Sequence, residues 1–433
     1  MKLHNISKSD PRNRPRPHTF FAPKPNPVVA WLGKRFAKAY IKAKLKVEEI
    51  ELSDAELDIL RKLKGKRTLL MPSHSGGFEP YLIIYISKLL HDSYFYLAAI
   101  EAFQRNIISA WIMPRMGAYS IIRGTADRAS FQMTKKILSE GKRWLVIFPE
   151  GQTVWQNDTV ISFQEGVTQM AFKALEDVNN RTKTENSLFC IPIAIKYTYL
   201  KNMDAEINES LQRLESQFFV EPPQNDDSAL TRLRRISEAM LVINERKHKV
   251  PCDESKSLDE RIQQMKETVV SKIEQRLNLA PRKEQILLDR IRSCFNAIDN
   301  MLAEEAPPTP YERKLFDERN NNLRPLYDDL WRVLQLVAIY EEYVSEKLTT
   351  ERFLDVLCLL EMEAFNERRM WGPRRAIIRV GTPIDLKDHF SAYKANKRST
   401  IKKVSDSLEN SVKEMLAEIA DQHSLPLPST FHS

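Results

Sequence analysis

The stretch "LLMPSHSGGFEPYL", Leu69 to Leu82, decides how the chain is read. It opens on the end of an apolar run, "RTLLMP", with the length and composition of a buried strand. It closes on the start of another, "YLIIYI", where Pro80 suits the first turn of a helix. Between the two lie His74, flanked by two serines, then Gly76, Gly77 and Glu79. Strand, loop and helix in succession are the unit of α/β folds, which place their sites at strand ends. The loop reads in one of two ways: a flexible turn, or a histidine and carboxylate paired for catalysis.

Working outward, "SYFYLAAI", "AYSIIR", "RWLVIFP" and "LFCIPIAIKYTY" read as further strands, with helical stretches between several of them. Upstream, Ser53 and Glu56 form a capping-box pattern ahead of a helix that closes at Gly65. From Asp204 to Met370 glycine disappears and amphipathic helical segments dominate, one of them opened by a Ser257/Glu260 capping box. Strand character returns in "RAIIRVGTPIDL", Arg375 to Leu386. The expected organisation is an α/β core over 28–203, an all-α insertion over 204–370, a returning strand of the core over 371–395, and a C-terminal helix and tail over 396–433.

Residues 1–27 are rich in Pro and Arg and read as an extended basic arm. Over 28–46 a basic amphipathic helix is expected. Lys34, Lys38, Lys42 and Lys46 recur every fourth residue, and Val28, Val29, Leu32, Phe36, Ala39, Tyr40 and Ala43 fall on another face. Such a helix either lies in a membrane interface or docks on its own domain. Between Met1 and Lys46 the single acid is Asp10, and the net charge of the whole chain is +8. An anionic membrane surface is therefore an expected partner. Nucleic acid is not, because no recognition motif accompanies the charge.

The 433 residues are 42% hydrophobic and 29% charged, the balance of a globular protein. The apolar runs fall short of the ~18 residues of a spanning helix. Membrane contact is thus expected to be peripheral and the location cytoplasmic. The four cysteines are scattered and no zinc spacing occurs, so packed thiols and no metal are expected.

Seven of the 11 glycines lie between residues 76 and 166. This is the region that carries four ordered blocks: His74-Ser75-Gly76-Gly77-Phe78-Glu79-Pro80, Gly117 to Arg123, Phe148-Pro149-Glu150-Gly151-Gln152, and Cys190-Ile191-Pro192-Ile193. No phosphate-binding loop, nucleophile elbow or dinucleotide fingerprint is present. Together the blocks resemble the glycerolipid acyltransferase family of the lysophosphatidic acid type. Its motifs run H-x4-D, G-x5-R, F-P-E-G-T-R and V-P-[IV]. "FQEG" (Phe163 to Gly166) and "VGTPID" (Val380 to Asp385) fit two further segments of that pattern. Two departures stand out: Glu79 replaces the family's aspartate, and Gln152-Thr153 replaces Thr-Arg.

The resemblance implies an α/β fold with a mixed sheet flanked by helices, and an O-acyltransferase. Moving an acyl group from a thioester to a hydroxyl needs a base, and histidine suits that work near neutral pH. His74 would be the base, with Glu79 fixing its tautomer and stabilising the imidazolium. By resemblance Arg123, Glu150, Gly151, Gly117, Phe148 and Pro149 would line the acceptor site, with Arg123 pairing to a phosphate. Pro192 would sit at the base of an acyl groove or serve its strand alone. The co-substrate would be acyl-CoA or acyl carrier protein, with no other cofactor. The acceptor would be a lysoglycerolipid such as 1-acylglycerol-3-phosphate, in phospholipid biosynthesis. The competing reading is a catalytically silent lipid-binding or scaffold protein on the same fold.

Overall fold

The computed structural model describes residues 20–123, 127–153, 155–221, 228–253, 255–280, 285–302, 304, 307–336, 349–365 and 367–427. The first 19 residues of the basic arm and the tail beyond 427 lie outside them. After an extended lead-in come α1 (Pro27–Leu45), β1 (Val47–Glu51), α2 (Asp54–Lys62), β2 (Thr68–Pro72) and α3 (Glu79–Leu89). Next are β3 (Phe95–Ala99), α4 (Ile100–Gln104), α5 (Ile107–Arg115), β4 (Ala118–Ile121), α6 (Arg128–Glu140) and β5 (Leu145–Val146). α7 (Glu165–Thr182) leads into the long β6 (Phe189–Tyr199). A helical region follows: α8 (Asp204–Phe218), α9 (Ala229–His248), α10 (Leu258–Arg276), α11 (Leu287–Leu302), α12 (Pro310–Leu336) and α13 (Thr350–Phe365). The chain closes with β7 (Arg374–Val380), β8 (Ile384–Asp385), α14 (Phe390–Ala395) and α15 (Lys397–His423).

Among the described residues one mixed sheet of eight strands has the order β1-β7-β6-β2-β5-β3-β4, with β8 also beside β6. β7 and β8 run antiparallel to β6, and the other pairs are parallel. Side-chain alternation sends Leu69 and Met71 of β2 to one face and Leu70 to the other. The first face is covered by α6, α7 and α15, the second by α1, α2 and α3. α15 is therefore part of the core, with Leu408 and Val412 fully buried. β1 was absent from the expected strands. It is an edge strand with few apolar residues, and its Glu49 and Glu51 pair with Arg375 and Arg379 of β7. The opposite edge, at β4, is met by the lead-in: Ser120 N–H donates to the Phe21 carbonyl and Phe21 N–H to Ser120 Oγ. Of the four cysteines, Cys190 and Cys294 are buried, but Cys252 is exposed.

The helical region is a tandem array. Arg232, Arg261, Arg290 and Arg319 stand every 29 residues. Each pairs with a glutamate of the preceding turn region: Glu215, Glu245, Glu274 and Glu304. The first three glutamates share a further device. Each lies four residues before a left-handed residue, Phe219, Lys249 or Asn278. In each case the glutamate carbonyl accepts the N–H of the residue after that one, closing the helix in a Schellman turn. Core positions repeat at the same interval, as in Leu233, Ile262 and Ile291. The interval is that of repeat proteins, in which each unit buries its face on the next.

Candidate active site

β2 and β5 are parallel neighbours, so the loops after them emerge on the same side of the sheet. The first loop carries His74 and the second Phe148, Pro149, Glu150 and Gly151. His74 N–H donates to Glu150 Oε1 at 2.7 Å, joining the two loops. The His74 ring lies against Phe148, with ring centroids 4.3 Å apart. Its Nδ1 is 2.8 Å from Glu79 Oε2.

Glu79 is the first residue of α3 and is fully buried. Its carboxylate also accepts from Gly76 N–H at 2.7 Å, Gly77 N–H at 2.9 Å and Tyr197 Oη at 3.2 Å. The glycines have specific causes. Gly77 has φ of +79°, and a Cβ on Gly76 would stand 2.9 Å from Glu79 Oε1. The two N–H groups are thereby spent on the carboxylate. Burial opposes ionisation of Glu79, but the His74 hydrogen bond and charge, with the backbone donors, outweigh it. Its carboxyl is held below the usual range.

Glu150 behaves oppositely. Burial pushes its carboxyl up to about 8, although the His74 and Ile161 N–H groups favour the charge; nearby Glu79 and Glu409 add to the rise. It is a brace between loops, holding the N–H groups of His74 and Ile161.

Arg123, two residues beyond β4, donates to the Gly151 carbonyl at 3.2 Å and to Glu101 at 3.1 Å. It is half-exposed beside the loop of Glu150. Gly151 has φ of +71°. Gly117 does not join this group. It sits at the amino-terminal end of β4, where a φ of +93° and a Cβ position 2.7 Å from the Tyr94 carbonyl make it a turn glycine. Arg143 precedes β5, at the same end of the sheet as Gly117. Pro192 is buried within β6, opposite Met71.

Several site neighbours come from the helical region and carry no motif. Arg292 of α11 donates to the Glu150 carbonyl at 3.3 Å, and Asn296, one turn on, to the Arg123 carbonyl at 2.6 Å. Arg368 donates to the Gly76 carbonyl at 2.9 Å and stacks on Trp155, 3.7 Å from the ring. Two guanidinium groups thus brace the backbone of the histidine loop and the glutamate loop from outside the sheet. Among the described residues no group of three His, Cys, Asp or Glu is placed to hold a metal ion.

The site is thus a strand-end histidine of an α/β sheet with a buried carboxylate on its Nδ1, an arrangement that general acid–base chemistry uses. Residues 45–196 match the Acyltransferase family model, so this segment carries an acyltransferase domain of the glycerolipid type. The helical array and the returning β7 lie beyond the matched segment. No curated protein matches the chain.

Proposed function

We propose that the protein moves a fatty acyl group from an acyl thioester, on coenzyme A or acyl carrier protein, to a hydroxyl of a lysoglycerolipid such as 1-acylglycerol-3-phosphate. The observation that carries this is the buried Glu79 on His74 Nδ1, which leaves Nε2 as the basic nitrogen. Nε2 takes the hydroxyl proton as the oxygen attacks the thioester carbon. The C–S bond then breaks, and the sulfur leaves with that proton as a thiol. Glu79 stabilises the imidazolium that exists between the two transfers. Arg123 pairs with the acceptor phosphate, and Phe148, Pro149, Glu150 and Gly151 form the wall beside it. Gln152 and Thr153 supply no cation where the family has arginine, so the phosphate rests on Arg123. Pro192 serves its strand. The work belongs to phospholipid biosynthesis, on the cytoplasmic face of a membrane. No helix among the described residues is long and apolar enough to cross one.

The test is to incubate the full chain with labelled acyl thioesters and a panel of lysolipids and to identify products by mass. His74→Ala should lower turnover by roughly 10²–10⁴-fold with circular dichroism unchanged. Undiminished turnover would remove His74 from the reaction.

A further inference from the structure

α1 docks through only part of its apolar surface. Ala37, Ile41 and Leu45 are buried, and Gly33 meets the Met116 side chain so closely that a Cβ would stand 2.5 Å from Met116 Cε. Four other apolar side chains of the helix, Val28, Trp31, Leu32 and Phe36, are left exposed at 41–65%. α5 lies beside α1 and repeats the arrangement: Ile107, Ile108, Trp111 and Ile112 form one outward stripe, 39–88% exposed. Thirteen large apolar residues are exposed among the described residues, and eight are these. Scattered exposure is ordinary, but a contiguous patch marks a docking surface.

The surroundings identify the occupant. α1 carries Lys34, Arg35, Lys38, Lys42 and Lys44 and no acid, and α5 has no acid either. A second copy of the chain would bring like charges together, whereas an anionic bilayer supplies both a hydrocarbon phase and opposite charge. Between the start of α1 and the end of α5 lies a cleft of about 170 Å³. Lys34, Arg115 and Arg143 line it, with Asn26, Trp31 and Ser93. Lys34 Nζ donates to the Asp92 carbonyl and to Ser93 Oγ, and Arg115 stacks 4.1 Å over the Trp111 ring, so both cations are held in place.

We propose that α1 and α5 together form a face that inserts into an anionic phospholipid bilayer, with the Lys34, Arg115 and Arg143 cleft taking a lipid headgroup phosphate. This deepens the proposed action on membrane lipids, but its test needs no turnover. The full chain is floated with phosphatidylcholine vesicles, with and without phosphatidylglycerol. An Ile108→Glu, Trp111→Glu double variant should lose roughly tenfold or more of its partition to both vesicles, with an unchanged circular dichroism spectrum. An Arg115→Ser, Arg143→Ser double variant should keep its binding to phosphatidylcholine and lose part of the increment that phosphatidylglycerol gives, the α1 cations supplying the rest. Flotation of the glutamate variant like the unmodified chain would overturn the docking face. A full increment in the serine variant would overturn the headgroup cleft. A dimer that the glutamate pair dissolves, without vesicle binding, would assign the face to a second copy instead. An inactive chain that still floats as described would refute the acyl-transfer reading alone.

Discussion

Glu79 and Glu150 lie within one pair of loops, yet their surroundings drive their protons in opposite directions. Glu79 gains an imidazole, two glycine N–H groups and a tyrosine hydroxyl, and its carboxyl falls. Glu150 is desolvated with two N–H donors and its carboxyl rises to about 8. The consequence for stability follows from linkage. With a folded pKa raised above the ordinary value, the folded state holds the Glu150 proton after the unfolded state has lost it. Stability from this group is therefore full in acid and is lost as pH rises from about 4.5 to about 8. Melting temperatures measured across that window should fall, and Glu150→Gln should flatten the fall. Parallel melting profiles of the two proteins would contradict the raised pKa. Glu79 has the reverse sign and loses its contribution only in acid, as pH falls from the ordinary carboxylate value down through its lowered one. The His74–Glu79 pair was legible because it is local, five residues apart, and the glycines announced the bend. Tyr197, Arg292 and Arg368 were not, because tertiary structure alone carries them to the loop.

At the scale of elements, the array from α8 to α12 shows how burial sets the worth of an ion pair. The Arg261–Glu245 pair joins α9 to α10 with side chains 5% and 2% exposed, and is bidentate. Its fourth counterpart, Arg319–Glu304, has side chains 40% and 53% exposed. Arg261→Ala strands a buried carboxylate and should cost about 3–5 kcal/mol. Arg319→Ala should cost about 0–1 kcal/mol. Denaturant unfolding of both variants reads the difference directly, and equal losses would contradict the burial argument. The 29-residue recurrence is present in the sequence but is sparse, resting on one arginine, one glutamate and a few apolar positions per unit. Amphipathic pattern alone gives helices without showing that they repeat. α1 was half legible for a related reason. Its apolar positions were visible, but the docking side joins Gly33 and Ala37 to Ile41 and Leu45, and hydrophobicity underrates the small pair.

Across the whole molecule, the sheet is assembled from segments far apart in the chain. Strand order after β2 was open to the pattern of alternating strands and helices, and the late strand at Arg375 pointed to a sheet completed after the helices. Its place was not legible: β7 lies inside the sheet between β1 and β6, where every residue of β6 from Ile193 to Tyr199 meets it. α15 then packs on β6 and α7, on the sheet face that α6 also covers. A chain ending at residue 396 should therefore fail to fold cooperatively, since it uncovers fully buried Leu408 and Val412 partners. A sharp thermal transition in that truncated chain would show α15 to be dispensable.

The position of β7 also has a meaning for synthesis. A ribosome finishes β6, the longest strand, before it has made any of the array, and the partner of that strand comes only after α13. At about 5–20 residues per second, the nascent chain carries an eleven-residue strand with one bare side for on the order of ten seconds. During that interval the strand is open to neighbouring nascent chains. That side closes only when β7 is in place, and with it the domain that holds His74.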